Sequence, residues 1–407
     1  MQKLKLSDAW NAINVRIIQR TRRNMGRQIK YIAIGVSFLM LAPLTTTTFG
    51  ARGPKNFHAG AVYVLTNQTT NSVAVFRHNA RGMLTAAGEF PTGGAGDPTP
   101  QPPDPATDPL ASQGALIMSR GNHYLYAVNA GSNQISVLRI RKNSLDIVDV
   151  VDSGGVRPIS LAVHDDLLYV LNEGGTPNIT GFTIEDDGTL TPLAGSTRPL
   201  IGGVAADPAQ IGFSHDGGLL VVTEKAGNRL NTYTINDDGL PSPPIDNPSN
   251  GMTPFGFAFN NADTLVVSEA FGGTPNASAA SSYDAGEDGT LSVISGSVPN
   301  SQTAACWVVI RKNGKFAFVS NTGSGTISSY RVNAEDGSLT LLNATAADTG
   351  TGSGPIDMAL SVNSRILFVH LGGTQSVASF RVWRNGNLTL IDTAGGLPLG
   401  AQGIAAK

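Results

Sequence analysis

Two glutamates are the strongest candidates for chemistry. Glu224 ends the segment Leu219–Leu220–Val221–Val222–Thr223–Glu224, and Glu269 ends the similar Leu265–Val266–Val267–Ser268–Glu269. Related segments elsewhere end in Asn67, Asn129 and Asn172. Two carboxylates held roughly 10 Å apart, the spacing of packed sheets, can act as acid and base on a ring between them. The same position also suits a cap, in which each side chain accepts N–H bonds from the turn that follows. Arg157, just before Pro158, offers a planar guanidinium to a carboxylate or phosphate. Gln210, Phe255 and Asp357 stand at comparable places further along, and Asp357 suits holding a loop equally well. Phe255 and Trp307 can line an apolar pocket. His370 is a lone imidazole, a type more often packed in a core than set to work. The single cysteine, Cys306, lies in Ala304–Ala305–Cys306–Trp307–Val308 and reads as a buried small hydrophobe that has no disulfide partner in the chain. No Cys/His cluster, calcium-loop spacing, phosphate-cradling glycine loop or nucleophile elbow is present, so neither metal nor cofactor is expected.

The elements that must position these residues come from a repeat. Segments such as Tyr124–Leu125–Tyr126–Ala127–Val128–Asn129 and Phe316–Ala317–Phe318–Val319–Ser320–Asn321 recur seven times, about 50 residues apart, a period of the kind that builds propellers. Each copy begins with an apolar strand such as Ile211–Gly212–Phe213–Ser214 and a polar turn. The recurring segment follows, then an alternating third strand such as Leu230–Asn231–Thr232–Tyr233–Thr234–Ile235. An Asp-Gly hairpin and a weaker fourth strand close the copy, because glycine takes positive φ without a Cβ clash. The pattern predicts an all-β, seven-bladed β-propeller of four-stranded antiparallel blades. The first copy, near Ala61, lacks an innermost strand, and Ala401–Ala406 has no copy of its own, so the N- and C-terminal strands should pair and close the ring. Gly93–Gln113 and Gly272–Gly286 read as long loops.

Strand direction alternates within a blade, which sorts the candidates by face. The ends of the second strands and the starts of the innermost strands share one face, where a central pocket is expected. His164 and His215 sit in first turns on the opposite face and are set aside.

Composition narrows the function. Residues 1–30 carry eight Lys/Arg and one acid, leaving 20 basic and 29 acidic residues in the remainder, an acidic body that argues against nucleic-acid binding. The basic stretch up to Lys30 and the apolar run Tyr31–Leu44 read as a signal segment, the run being too short to span a membrane as a helix. Initiation at Met25 would leave a conventional signal peptide, and Thr21–Arg22–Arg23 weakly resembles a twin-arginine signal. Residues 1–51 are thus expected to target the chain, and 52–407 to form the propeller, secreted or periplasmic. Contact with a membrane is expected only through the N-terminal segment before cleavage.

Pro158–Ile159–Ser160–Leu161–Ala162–Val163–His164–Asp165, Leu168–Tyr169–Val170–Leu171–Asn172 and Ile184–Glu185–Asp186–Asp187–Gly188–Thr189–Leu190 together resemble the seven-bladed lactonase family over roughly residues 57–407. That family includes propeller-type 6-phosphogluconolactonases and carboxymuconate cyclases. The resemblance implies a lactone ring of a sugar or organic acid, opened by water through acid/base groups, with Glu224 or Glu269 as base and Arg157 holding an anionic group. The strands Asp207–Ser214 and Thr253–Phe259 carry neither the His nor the Arg usual in the family's enzymes. A small-molecule lactone or carbohydrate ligand is expected on this reading. The alternative is a non-catalytic propeller that binds a glycan, peptide or protein partner.

Overall fold

The computed structural model describes residues 58–102 and 104–407. The expected signal segment lies outside the described residues. Seven antiparallel sheets follow one another, and their innermost strands pack side by side in a closed ring. For blades two to seven these strands are Leu116–Met118, Val156–His164, Pro208–Phe213, Pro254–Phe259, Ala305–Ile310 and Pro355–Leu360. Blade one takes its innermost strand from the far end of the chain: Gln402–Ala406 pairs with His58–Leu65 in the register Val62↔Ala406, Tyr63↔Ala405, Val64↔Ile404. The closure expected from the unpaired C-terminal segment is therefore present and gives blade one its innermost strand.

The second strands of blades four to seven, such as Leu219–Glu224 and Phe316–Asn321, are buried along their whole length, because a blade packs on each side of them. Third strands place large aromatics between blades: Phe182, Tyr233, Tyr283, Tyr330 and Phe380 are all fully buried. A buried phenol needs a partner, and these find it next door. Tyr233 Oη donates to Pro199 O at 3.3 Å, and Tyr330 Oη to Val298 O at 3.1 Å, each tying its blade to the one before. The Asp-Gly hairpins form as expected. Asp187 and Asp288 accept from the backbone N–H and hydroxyl of Thr189 and Thr290, which holds both carboxylates below their ordinary range.

One loop expectation needs correction. The second half of Gly272–Gly286 is the third strand of blade five, Ala279–Ala285. Its small residues, Ala279–Ala280–Ser281–Ser282, are buried on both sides and so show no alternation of polarity to betray a strand. Phe271–Gly273, before it, is a single 3-10 turn.

Candidate functional site at the central axis

The face expected to hold the pocket is filled by the chain itself. The loop between blades one and two, read in sequence as a long connection, turns inward and buries Asp108, Leu110, Ala111, Ser112 and Gln113. Ser112 Oγ donates to Ile159 O at 2.9 Å, and the Trp307 indole N–H donates to Ser112 O at 2.9 Å. Gln113 clips onto blade six: its amide donates to Val308 O at 2.9 Å and accepts from Val308 N at 3.1 Å. Its own backbone N–H donates to Ala209 O on blade four at 3.0 Å. Gly256 makes room for this, since a Cβ there would lie 2.2 Å from Gln113 Oε1. The plug thus draws hydrogen bonds from three blades.

The charged candidates on this face are engaged with the plug and its flank. The Arg157 guanidinium donates to Asp97 (3.1 Å), to Pro109 O (2.7 Å) and to Glu173. Its backbone sits at φ 55°, where Asn133 Oδ1 accepts its N–H at 2.8 Å. Lys225 Nζ donates to Ala111 O (3.1 Å) and pairs with Asp207 (3.0 Å), 5.1 Å above the Phe255 ring. Burial alone would pull this ammonium down, but Asp207, Asp104 and Glu173 outweigh it and hold it above its ordinary value. Asp108, within the plug loop, is pushed up to about 7 by burial, against the opposing pull of Lys225. Phe255 and Trp307 pack against each other with ring centroids 4.8 Å apart and planes tilted by 55°, and both are buried.

Glu224 and Glu269 are fully buried inside their own blades. Glu224 accepts from Gly202 N (3.1 Å) and Asn231 Nδ2, with Arg229 Nε at 3.7 Å. Glu269 accepts from Gly251 N (2.9 Å), Ser297 Oγ (2.7 Å) and Ser281 Oγ. Burial raises both pKa values, and these donors oppose the rise. The two carboxylates share no hydrogen-bond partner among the described residues. The equivalent Asn129 and Asn321 bridge to third strands in the same manner, through Ser136 and Ser328. His370 is also fully buried, and neither ring nitrogen has a partner among the described residues; burial lowers its pKa to about 3.

The opposite face is open. A cavity of about 590 Å3 runs up the axis from the Asp-Gly side and ends beneath Gln113. Gln210 and Asp357, expected on the other face with the starts of the innermost strands, line this cavity instead, and His164 and His215, set aside as lying on this face, stand at its mouth. Gln210 clips blade four to blade five as Gln113 does to blade six, accepting from Phe257 N at 2.7 Å and donating to Phe257 O at 3.1 Å. Asp357, at φ 40°, accepts from Met358 N at 2.8 Å and from the backbone N–H groups of Gly114 and Ile404, which belong to blades two and one. Burial dominates these bonds and pushes its carboxyl up to about 7. The His164 ring lies 3.8 Å from Asp165, which also pairs with Arg120. Among the described residues no group of three His, Cys, Asp or Glu side chains is arranged to hold a metal ion.

Fold and axis together define a seven-bladed β-propeller whose central channel is sealed at one end by its own loop and open at the other. The chain belongs to the family described as lactonase, 7-bladed beta-propeller, which residues 44–199 and 279–400 match. No match among curated proteins reaches significance. Solved structures with the same fold include a Lactobacillus plantarum protein (19% identity, TM-score 0.66, covering 86% of this chain and 100% of that one). A candidate 6-phosphogluconolactonase from Bacteroides uniformis is also 19% identical, with a TM-score of 0.63 and coverage of 84% and 98%. A periplasmic gluconolactonase from Pseudomonas aeruginosa is 15% identical, with a TM-score of 0.64 and the same coverage of the two chains. At these identities the likeness establishes the fold.

Proposed function

We propose that this chain opens a lactone ring of a sugar or organic acid in the cavity on the Asp-Gly face, with Asp357 as the general base. The observation that carries the reading is a carboxyl held near 7 at the head of a cavity large enough for such a ring. A base with its pKa near the working pH is present in both forms and can take and return a proton. Asp357 carboxylate accepts a proton from water as the water oxygen bonds to the lactone carbonyl carbon. The bond from that carbon to the ring oxygen then breaks, and the departing oxygen takes the proton back from Asp357. The product is the open hydroxy acid. His164 and His215, at the mouth, offer N–H donors to substrate hydroxyls or a carboxylate. Glu224 and Glu269 serve this reading as struts inside blades four and five.

Export belongs to the same proposal. The basic stretch before Lys30 and the apolar run Tyr31–Leu44 support passage out of the cytoplasm, and the solved relative named a periplasmic gluconolactonase agrees with it.

The test is hydrolysis of a panel of sugar, aromatic-acid and acyl-homoserine lactones, followed by proton release. Asp357→Asn should lower turnover by about 100-fold or more, the usual weight of a general base. It should also remove the rise in rate near pH 7. A second reading, a non-catalytic ligand-binding propeller, is favoured by the plug and by the three N–H groups that already occupy Asp357. Absence of turnover across the panel selects it.

A further inference from the structure

A second concave region lies away from the axis, on the Asp-Gly face where blades six, seven and one meet. It is a groove of about 690 Å3 lined by Arg81, Arg311, Arg365, Arg381, Arg384 and Lys407, and no carboxylate side chain lines it. None of these six forms an ion pair among the described residues. The clustering is notable because the chain beyond residue 30 is acidic, with 20 basic residues to 29 acidic. Against the main-chain carboxylate of Lys407, the one negative group among the lining residues, the six cations are in excess; they repel one another, and a bound anion relieves them. The crowding is felt: burial first, then the charges of Arg365 and Arg384, pull the Arg311 guanidinium below its ordinary value.

A hollow of about 600 Å3 adjoins the groove and shares Trp383 and Arg384 with it. Its other polar groups are neutral: Asn343, Asn385, Asn387 and Thr389. Trp383 is 46% exposed between the two, with Arg381 5.4 Å over its ring and its indole N–H held by Thr389 at 2.9 Å. An exposed, oriented aromatic plane beside amides and a hydroxyl is what a sugar ring requires: an apolar face to stack on and partners for its hydroxyl groups. Guanidinium groups alongside match the oxygens of a phosphate or sulfate ester.

We propose that the Arg81–Arg311–Arg365–Arg384 groove and the Trp383 hollow form one binding site for a carbohydrate bearing phosphate or sulfate esters, with the ester in the groove and the ring on Trp383. The site is separate from the axial cavity and does not depend on the lactone reading.

Titration calorimetry of the full chain with a heparin-derived sulfated tetrasaccharide, its desulfated counterpart, glucose 6-phosphate and inorganic phosphate tests this. The sulfated sugar should bind, the desulfated one should not, and Arg365→Gln/Arg384→Gln should weaken binding by about tenfold or more. Trp383→Ala should weaken the sulfated sugar by about threefold to tenfold and leave inorganic phosphate unchanged. The thermal midpoint of each variant checks that the exposed substitutions leave the fold intact. Binding insensitive to the arginine pair, or equal affinity for inorganic phosphate and the sugar, overturns the site. Binding to phosphatidylglycerol vesicles in preference to the sugar replaces it with a membrane-facing surface, since exposed Val362 lies in the same groove.

Discussion

At the sealed end of the axis, Ser112 and Gln113 use their side chains on blades three and six, and Arg157 and Lys225 lie pinned among carboxylates and carbonyls. At the open end the same innermost strands leave about 590 Å3 empty, with Asp357 at its head and two imidazoles at its mouth. Two buried aspartates are pushed up to about 7, Asp108 within the plug loop and Asp357 over the cavity, and the charge of Asp357 adds a small part of the rise at Asp108. The difference between them is access. A perturbed acid within a hydrogen-bonded plug changes stability, whereas one facing a cavity can also meet a substrate.

Substitutions at the sealed end should therefore lower stability and spare turnover, and those at the open end should do the reverse. The largest effect is expected from Trp307→Ala, which empties a fully buried ring and frees Ser112 O; chemical denaturation should show a loss of about 3–5 kcal/mol. Gln113→Ala leaves Val308 N–H and C=O without partners and should cost about 2–3 kcal/mol by the same measurement. Glu224→Gln and Glu269→Gln should each cost about 1–2 kcal/mol, because a side-chain amide donor then faces N–H and O–H donors. Lactone turnover should stay within about twofold in both, and a collapse of turnover in either would move the base away from Asp357.

The pH response separates the ends more finely. An acid whose pKa is raised on folding holds its proton more tightly in the folded chain. Asp108 and Asp357 therefore subtract stability as pH rises from about 4 to about 7, and no further above that. Asp108→Asn and Asp357→Asn should each flatten this part of the curve of thermal midpoint against pH, but only Asp357→Asn should change the pH profile of turnover. His370 acts in the other direction: with its pKa lowered to about 3, the unfolded chain binds its proton first, and stability falls as pH drops below about 6.5. His370→Leu should raise the midpoint slightly at pH 7 by removing two unpartnered nitrogens, and more at pH 4.5.

The blades were legible in the sequence because their signals are local. Alternation in Leu230–Ile235, the Asp-Gly turns and the spare segment Ala401–Ala406 each depend on neighbours a few residues away, and together they give seven sheets and the closure. The faces to which His164 and Glu224 belong follow from strand direction alone, but Asp357 and Gln210, placed by strand direction with Glu224, open onto the face of His164. Which face is open does not follow from it, because that depends on where Gly93–Gln113 goes, and the loop's composition records only its length. One signal was available: Gly256 stands between Phe255 and Phe257 in an innermost strand, where a missing side chain marks the close approach of another group. The fates of Glu224 and Glu269 were half legible, since the Asn residues at matching positions already pointed to bonds within a blade.

Blade one joins strands from opposite ends of the propeller and is the last of the seven that can be finished. His58–Leu65 must wait for Gln402–Ala406, a partner made hundreds of residues later, and until then neither the sheet nor the ring is complete. A contact of such long range makes closure late and slow relative to the local hairpins. Until Gln402–Ala406 docks, the seven sheets form an open chain of blades, and the ring gains its mutual support only when that strand is in place.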